Sequence, residues 1–203
     1  MDILLEGYRR FRTEQWPRER ERFERLSRDG QRPPAMVIAC SDSRVDPQMI
    51  FAAGPGELFV ARNIANLVPR YQPDSAYHGT SAAIEFAVRA LAVRCVVVLG
   101  HAQCGGIGAL LDGAPPGTGD FVEPWMGIAA EARARTAEVS PPAARQRACE
   151  HEAIRISLAN LLTFPWIDAA VRDGRLALEG FYFDTRSGEL LRLEGDGRFR
   201  LVT

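Results

Sequence analysis

Two periods of hydrophobic and polar positions run through this chain, and together they predict a mixture of helices and strands. Apolar residues recur at i, i+3, i+4 and i+7 over residues 84–91, which is typical of an amphipathic helix that Thr80 can cap. Short apolar runs indicate buried strands, and the run after Arg94 is the strongest because it carries no charge. The predicted strands are 35–39, 57–61, 94–100, 176–183 and 189–193.

The alternation of helices and strands continues in the second half of the chain. Pro141 suits the first turn of a helix with Ser140 as its cap, and the apolar stripe over 154–162 extends that helix. Thr163 can cap a further helix that ends at Gly174. This order predicts an α/β fold with a mostly parallel sheet and an antiparallel edge strand, flanked by helices.

The first 30 residues form a separate pattern. Residues 2–28 predict a highly charged helix with few apolar positions, which Pro17 should break or kink. Because such a helix buries too little apolar surface to fold alone, we expect it to lie across its own core or a partner subunit, with a solvated helix as the alternative. We therefore divide the chain into an N-terminal helical arm, 1–32, and an α/β domain, 33–203.

Composition excludes several classes of function. The 25 basic and 26 acidic residues give a formal net charge of -1, so neither nucleic acid nor an anionic membrane is an expected partner. Every basic residue is Arg, which excludes Schiff-base lysines and the lysine of a phosphate-binding P-loop. No apolar targeting segment opens the chain, so we expect a cytoplasmic protein.

In a cytoplasmic protein, four cysteines indicate free thiols or metal ligands rather than a disulfide framework. Cys95 and Cys149 fall on a predicted strand and helix and are expected to be inert packing thiols. His151 is expected on the surface.

The other two cysteines follow predicted strands. Cys40 leaves the first strand in the segment Cys-Ser-Asp-Ser-Arg, and His101 and Cys104 leave the third as His-x-x-Cys. Ligands of open α/β sheets bind at the carboxyl ends of the strands, so these three side chains should converge. Two thiolates and one imidazole suit a catalytic zinc, which keeps its fourth tetrahedral position open for water.

Three segments of the sequence resemble those of a known family. Cys-Ser-Asp-Ser-Arg-Val at 40–45, Ala-Arg-Asn-Ile-Ala-Asn-Leu-Val at 61–68 and His-Ala-Gln-Cys-Gly-Gly at 101–106 are similar to three signatures of the β-class carbonic anhydrases, in particular the plant-type branch. The resemblance implies a lyase, carbonate dehydratase, that reversibly hydrates carbon dioxide to bicarbonate and a proton by attack of zinc-bound hydroxide. It also implies a homodimer or higher homo-oligomer with the site at the subunit interface.

The resemblance assigns roles to individual residues. Cys40, His101 and Cys104 would ligate one zinc ion per chain, the only cofactor expected. Asp42 would accept a hydrogen bond from the zinc-bound hydroxide, and Arg44 would hold Asp42 by a bidentate ion pair. The residues implied in substrate binding are Gln31, Phe59, Ile64, Phe86 and Gly105. For the aromatic residues, plain core packing is the alternative, and Phe86 departs from the tyrosine that plant-type members often have.

One branch of the family binds inhibitory bicarbonate beside a tryptophan three residues before the first zinc cysteine, but this chain has Val37 there. It keeps Arg62, which matches that branch's bicarbonate-contacting arginine. Val37 offers no N–H donor, so we expect Asp42 to stay paired with Arg44 and bicarbonate not to inhibit cooperatively.

Three other functions stay open. The nearest is hydrolysis of carbonyl sulfide or carbon disulfide on the same fold and metal. Cys40 and Cys104 could instead form a redox pair, which would not hold stoichiometric metal. A binding protein that has lost catalysis is the third.

Overall fold

A six-stranded sheet forms the centre of the protein, seen in a computed structural model that describes all 203 residues. The strands lie in the order β2-β1-β3-β4-β5-β6, with β1 to β4 parallel and β5 and β6 antiparallel. They are β1 Ala35–Cys40, β2 Leu58–Asn63, β3 Cys95–His101, β4 Ala177–Phe183, β5 Leu190–Leu193 and β6 Phe199–Leu201. The predicted α/β class is confirmed, but the antiparallel edge has two strands, because β6 is a three-residue strand with too little pattern to detect.

The helices flank this sheet. They are α1 Asp2–Arg10, α2 Trp16–Asp29, α3 Pro47–Ile50, α4 Gly79–Glu85, α5 Gly105–Asp112, α6 Val122–Met126, α7 Ala130–Arg135, α8 Pro142–Leu161 and α9 Pro165–Arg172. By length and composition no single helix could cross a membrane, whereas the bent pair of α8 and α9 passes the same test.

The three predicted helix caps are wrong. His78 occupies the cap position of α4, and the Thr80 hydroxyl instead accepts a hydrogen bond from Asn63 Nδ2 at 3.2 Å. The cap positions of α8 and α9 are Pro141 and Phe164, without side-chain hydrogen bonds. The Thr163 hydroxyl likewise accepts a hydrogen bond from the backbone N–H of Tyr71 at 2.8 Å, so tertiary contacts use both threonine hydroxyls.

Both faces of the central strands are buried. Met36, Ile38, Val96 and Val98 belong to the core under α4, α8 and α9, whereas the alternate residue Val37 belongs to a second core with Val45 and Ile50. Period-two alternation therefore places successive apolar residues in two different cores. This explains why β1 and β3 are continuous apolar runs.

The N-terminal arm stays helical through Pro17. A π-helical turn at Phe11–Gln15 precedes α2, and Pro17 lies in the first turn of α2, where a missing N–H costs least. The second half of the arm packs on its own chain: Arg22 forms an ion pair with Glu57, and Leu26 lies against Gly56, where a Cβ would be 2.7 Å from Leu26 Cδ2. The first half exposes its apolar residues, namely Ile3, Leu4, Leu5 and Tyr8.

His151 is not on the surface as predicted. Its ring packs between Tyr182 and Phe199, with ring centroids 4.4 and 4.1 Å away. The helix turns this position toward the strands, which local sequence did not reveal. Cys95 and Cys149 are free thiols, and burial raises the pKa of both.

Candidate metal centre

Three potential metal ligands meet at the carboxyl end of the sheet. Cys40 ends β1, His101 ends β3, and Cys104 lies at the cap of α5. One ligand atom from each lies within 4.8 Å of the others, and all three residues are buried. The two sulfur atoms are 3.9 Å apart. The parallel pairing of β1 with β3 brings their ends together, and this group could hold a metal ion.

One nitrogen of His101 faces this group without a partner. The Nδ1 atom lies 2.9 Å from the carbonyl oxygen of Ala102, so it is assigned as the N–H donor. The Nε2 atom is buried and has no hydrogen-bond partner. A buried polar atom without a partner is costly, and a metal ion would provide the missing partner. A metal-ligating histidine has the same arrangement, with one ring nitrogen on the metal and the other donating to an acceptor such as a backbone carbonyl.

The two sulfur atoms influence each other's ionisation. A hydrogen bond from the Cys104 thiol, opposed by burial and helped by His101, lowers the pKa of Cys40. The same hydrogen bond to Cys40, together with burial, raises the pKa of Cys104. One thiolate is thus stabilised by these groups, and a second would require a cation beside it.

Asp42 and Arg44 form a bidentate ion pair beside the three ligands. Arg44 Nε donates to Asp42 Oδ1 at 2.9 Å and Nη2 donates to Oδ2 at 2.7 Å. These hydrogen bonds hold the pKa of Asp42 well below its usual range, so the carboxylate is ionised. Its Oδ2 lies 4.0 Å from His101 Nε2, which places a negative oxygen at the mouth of the metal group.

Arg62 holds the backbone of the same loop. Its Nε donates to the carbonyl oxygen of Cys40 at 2.9 Å, and its Nη2 donates to that of Asp42 at 2.6 Å. In this structure the Arg62 guanidinium therefore donates its hydrogen bonds to the segment that carries Cys40 and Asp42.

An apolar cavity opens beside the group. It has a volume of about 330 Å³, and its lining includes Cys40, Asp42, Ile64 and Gly105. Ile64 is followed by Ala65 at φ 62° and Asn66 at φ 50°, a left-handed turn that non-glycine residues rarely adopt. A Cβ at Gly106 would lie 2.8 Å from Ile64 Cγ2, so a glycine there allows α5 to approach this turn.

The structure brings together most of the residues predicted for the site. Those around the metal group and its cavity are Cys40, Asp42, Ile64, His101, Cys104 and Gly105, with Arg44 attached through Asp42. Phe59 and Phe86 contact each other, with ring centroids 5.9 Å apart, but line no cavity with the ligands. Gln31 is exposed on the segment before β1. Within one chain these three residues do not join the site.

Sequence patterns did not single out Glu150, a buried carboxylate behind Cys104. Its Oε1 accepts a hydrogen bond from the backbone N–H of Cys104 at 2.9 Å, and its Oε2 accepts one from the Tyr182 hydroxyl at 2.8 Å. Burial raises the pKa of Glu150, and these hydrogen bonds oppose that effect. The sequence did contain a signal for this residue. Glu150 precedes Ala153 and Ile154 by three and four residues, so it is a charged residue on the apolar face of α8.

Fold and site together define an α/β protein with a Cys-His-Cys group that could hold a metal ion. A family model described as carbonic anhydrase matches residues 35–190. A carbonic anhydrase from Pseudomonas aeruginosa is 39% identical over 200 residues, covering 98% of this chain and 90% of that protein.

Solved structures agree with this assignment. The β-carbonic anhydrase CcaA superposes with a TM-score of 0.93 at 33% identity, covering 100% of this chain and 92% of the other. A tetrameric β-carbonic anhydrase from Sordaria macrospora gives 0.79 at 27% identity, covering 99% and 95%. The chain belongs to the β-class carbonic anhydrase family, and is accordingly an enzyme of the carbonate dehydratase class, a lyase.

Proposed function

We propose that the chain interconverts carbon dioxide and bicarbonate with one zinc ion held by Cys40, His101 and Cys104. The observation that carries this proposal is the unpartnered, buried Nε2 of His101 beside two sulfur atoms 3.9 Å apart. Two sulfurs bound to a tetrahedral zinc at about 2.3 Å lie about 3.8 Å apart, so the donor set fits that ion. Soft thiolates with an imidazole also favour zinc over the hard cations that prefer oxygen.

A bound zinc ion would supply a water molecule that is acidic enough to act as a nucleophile at neutral pH. Two thiolates cancel the ion's formal charge, so the protein must provide further electrostatic help. Asp42 provides it as an ionised hydrogen-bond acceptor, 4.0 Å from His101 Nε2. Arg44 holds Asp42 in one orientation and is itself anchored by donating to the carbonyl oxygen of Gln103 at 3.0 Å.

Carbon dioxide is small and apolar, so the cavity lined by Ile64 and Gly105 suits it. We propose that Phe59, Phe86 and Gln31 complete this pocket across a subunit interface, which one chain does not contain. Exposed apolar side chains support an interface here, since Ile64 is 40% exposed and Phe86 is 50% exposed. The loss of a tyrosine hydroxyl at Phe86 leaves proton transfer to other groups or to buffer.

A homodimer or higher homo-oligomer is proposed for the same reason. The first half of the arm exposes Ile3 and Leu4, at 75% and 70%, and would bury them on a partner subunit. The tetrameric relative from Sordaria macrospora is consistent with an oligomer. The division into arm, 1–32, and catalytic domain, 33–203, follows this reasoning. Four free cysteines support a reducing, cytoplasmic location.

Metal analysis and stopped-flow carbon dioxide hydration on the same sample test this function. We expect one zinc per chain in the wild type, and loss of most zinc and activity in Cys40→Ser and Cys104→Ser, because a hydroxyl is a poor substitute for a thiolate. Cys149→Ser is the matched control, since it removes a buried thiol outside the group and should retain both.

Full zinc occupancy in Cys104→Ser would show that the ligand set is wrong. Wild-type protein that holds no stoichiometric zinc under reducing conditions would favour a redox pair instead. Turnover of carbonyl sulfide or carbon disulfide without carbon dioxide hydration would assign the alternative substrates.

A further inference from the structure

We propose that Glu150 is a positioning residue for this reaction: its buried carboxylate orients the backbone of Cys104 and thereby keeps the Cys104 sulfur in the metal-binding group. This inference rests on the proposed function, because it takes Cys104 to be a ligand. Glu150 does not face the cavity beside the metal group and acts only through Cys104.

Glu150 joins three parts of the molecule. Its Oε1 accepts from the Cys104 N–H at 2.9 Å and from Gln146 Nε2 at 3.1 Å, and its Oε2 accepts from the Tyr182 hydroxyl at 2.8 Å. Gln146 Nε2 also lies 3.5 Å from the Cys104 carbonyl oxygen. The carboxylate thus links α8, β4 and the loop that carries the ligand, with a hydrogen bond to each of three donors.

The Cys104 loop needs such support because its backbone is strained. Gln103 adopts φ 56°, a left-handed conformation that costs free energy for a residue with a side chain. Cys104 itself has φ -67° and ψ 119°, outside the helix that follows, so its N–H has no helical partner. Glu150 accepts a hydrogen bond from this buried N–H. Without the Glu150 carboxylate the N–H would be unpaired, and the loop would lower its free energy by rearranging so that water could accept the bond.

The residue that provides this acceptor stands on a rigid base. Glu150 lies near the middle of the 20-residue helix α8, which packs on β3 and β4, and Tyr182 pairs with Gly100 just before His101. Ligand geometry is more reproducible when the supporting group is on a helix or strand than when it is on a loop. The Cys104 loop is therefore held by α8 and β4, which pack against β3, the strand that ends at His101.

Packing alone does not account for a carboxylate here. Glu150 is 3% exposed, and a buried charge is unfavourable unless hydrogen bonds satisfy it. A leucine would fill the space without that cost but would leave the Cys104 N–H and the Tyr182 hydroxyl unpaired. An acceptor is therefore the property that this position requires.

Zinc affinity, measured by competition with a chromophoric chelator, tests this role. Glu150→Ala should weaken zinc binding by about 10- to 100-fold, the usual loss when a group supporting a metal ligand is removed. Glu150→Gln keeps an acceptor oxygen of nearly the same shape and should stay within about threefold of wild type, because Tyr182 can then accept from its amide.

Asn160→Ala is the matched control for general destabilisation. Asn160 is a buried polar residue on the same helix, and it donates to the Val68 carbonyl oxygen at 2.8 Å without touching the ligand loop. Asn160→Ala should lower the melting temperature, as Glu150→Ala should, but it should leave the zinc affinity unchanged. In cobalt-substituted protein, the thiolate-to-cobalt absorption should change in Glu150→Ala and not in Asn160→Ala.

The outcomes separate this inference from the function it rests on. If wild type binds one zinc and Glu150→Ala binds it equally well, the positioning role is refuted. Equal loss of affinity in Asn160→Ala also refutes it, by showing a nonspecific effect. If Glu150→Ala does not fold, Tyr182→Phe replaces it, with a few-fold loss expected and an unchanged affinity contradicting the role. Failure of the proposed function appears separately, as zinc retained in Cys104→Ser.

Discussion

Protonation of His151 should destabilise the protein at mildly acidic pH. Its ring lies between the rings of Tyr182 and Phe199, and its Nε2 is buried without a hydrogen-bond partner. Arg147 and Arg155 extend over the same two aromatic rings, at 5.4 and 5.2 Å. Burial first, and the two guanidinium charges second, lower the pKa of His151 from 6.5 to about 4.

The sign and the size of the effect follow from this shift. The unfolded chain binds a proton near pH 6.5 while the folded protein resists it, so the stability contribution is present above pH 6.5 and is lost as pH falls toward 4. Linkage gives a loss of roughly 2 kcal/mol between pH 7 and pH 5. Because the ring is only partly buried, solvent screening reduces the expected loss to about 1 to 2 kcal/mol.

Denaturant unfolding of zinc-loaded protein at pH 7 and pH 5, at one protein concentration, measures this loss. His151→Leu replaces the ring with an apolar side chain that cannot be protonated, so the wild type should lose about 1 to 2 kcal/mol more than this variant. Carboxylates and metal ligands titrate in both proteins, and their contributions cancel in the difference. Equal pH dependence in wild type and His151→Leu would refute the reasoning.

Three further predictions concern activity and assembly. Asp42→Asn should keep zinc but lose most activity, at least about 100-fold, because an amide cannot both accept from the nucleophile and pair with Arg44 in the same way; stopped-flow hydration and metal analysis check this. Deletion of residues 1–28 should weaken the oligomer, as measured by sedimentation, because the arm's apolar residues are exposed in one chain. Bicarbonate should not inhibit cooperatively in steady-state assays, because buried Val37 offers no donor to an anion.

Each of these three has a contradicting result. Near-wild-type turnover in Asp42→Asn would remove that carboxylate from the mechanism. An unchanged sedimentation profile after the deletion would show that the arm serves its own chain alone. A steep sigmoidal loss of activity with added bicarbonate, or Asp42 found separated from Arg44 in a crystal at neutral pH, would contradict the expected absence of that regulation.

Local sequence pattern predicted the central strands of the sheet well, but it predicted the edge strand β6 and the helix caps poorly. The run at Cys95–His101 was recognisable because a strand buried on both faces has no charged residue after its first position. β6 was missed because three residues cannot establish a period, and its pairing with β5 depends on contacts outside the segment. The predicted caps failed for a related reason: Thr80 and Thr163 bond to residues distant in sequence, Asn63 and Tyr71.

The sequence by itself determined which side chains could carry the chemistry. His101 and Cys104 lie within one short segment, and Asp42 and Arg44 are two residues apart, so their proximity is a local property of the backbone. Only the tertiary structure decided that Cys40 joins Cys104, 64 residues away, because the parallel pairing of β1 and β3 brings their carboxyl ends together. It also decided the support behind them, since α8 folds back over the sheet and brings Glu150 to the Cys104 N–H.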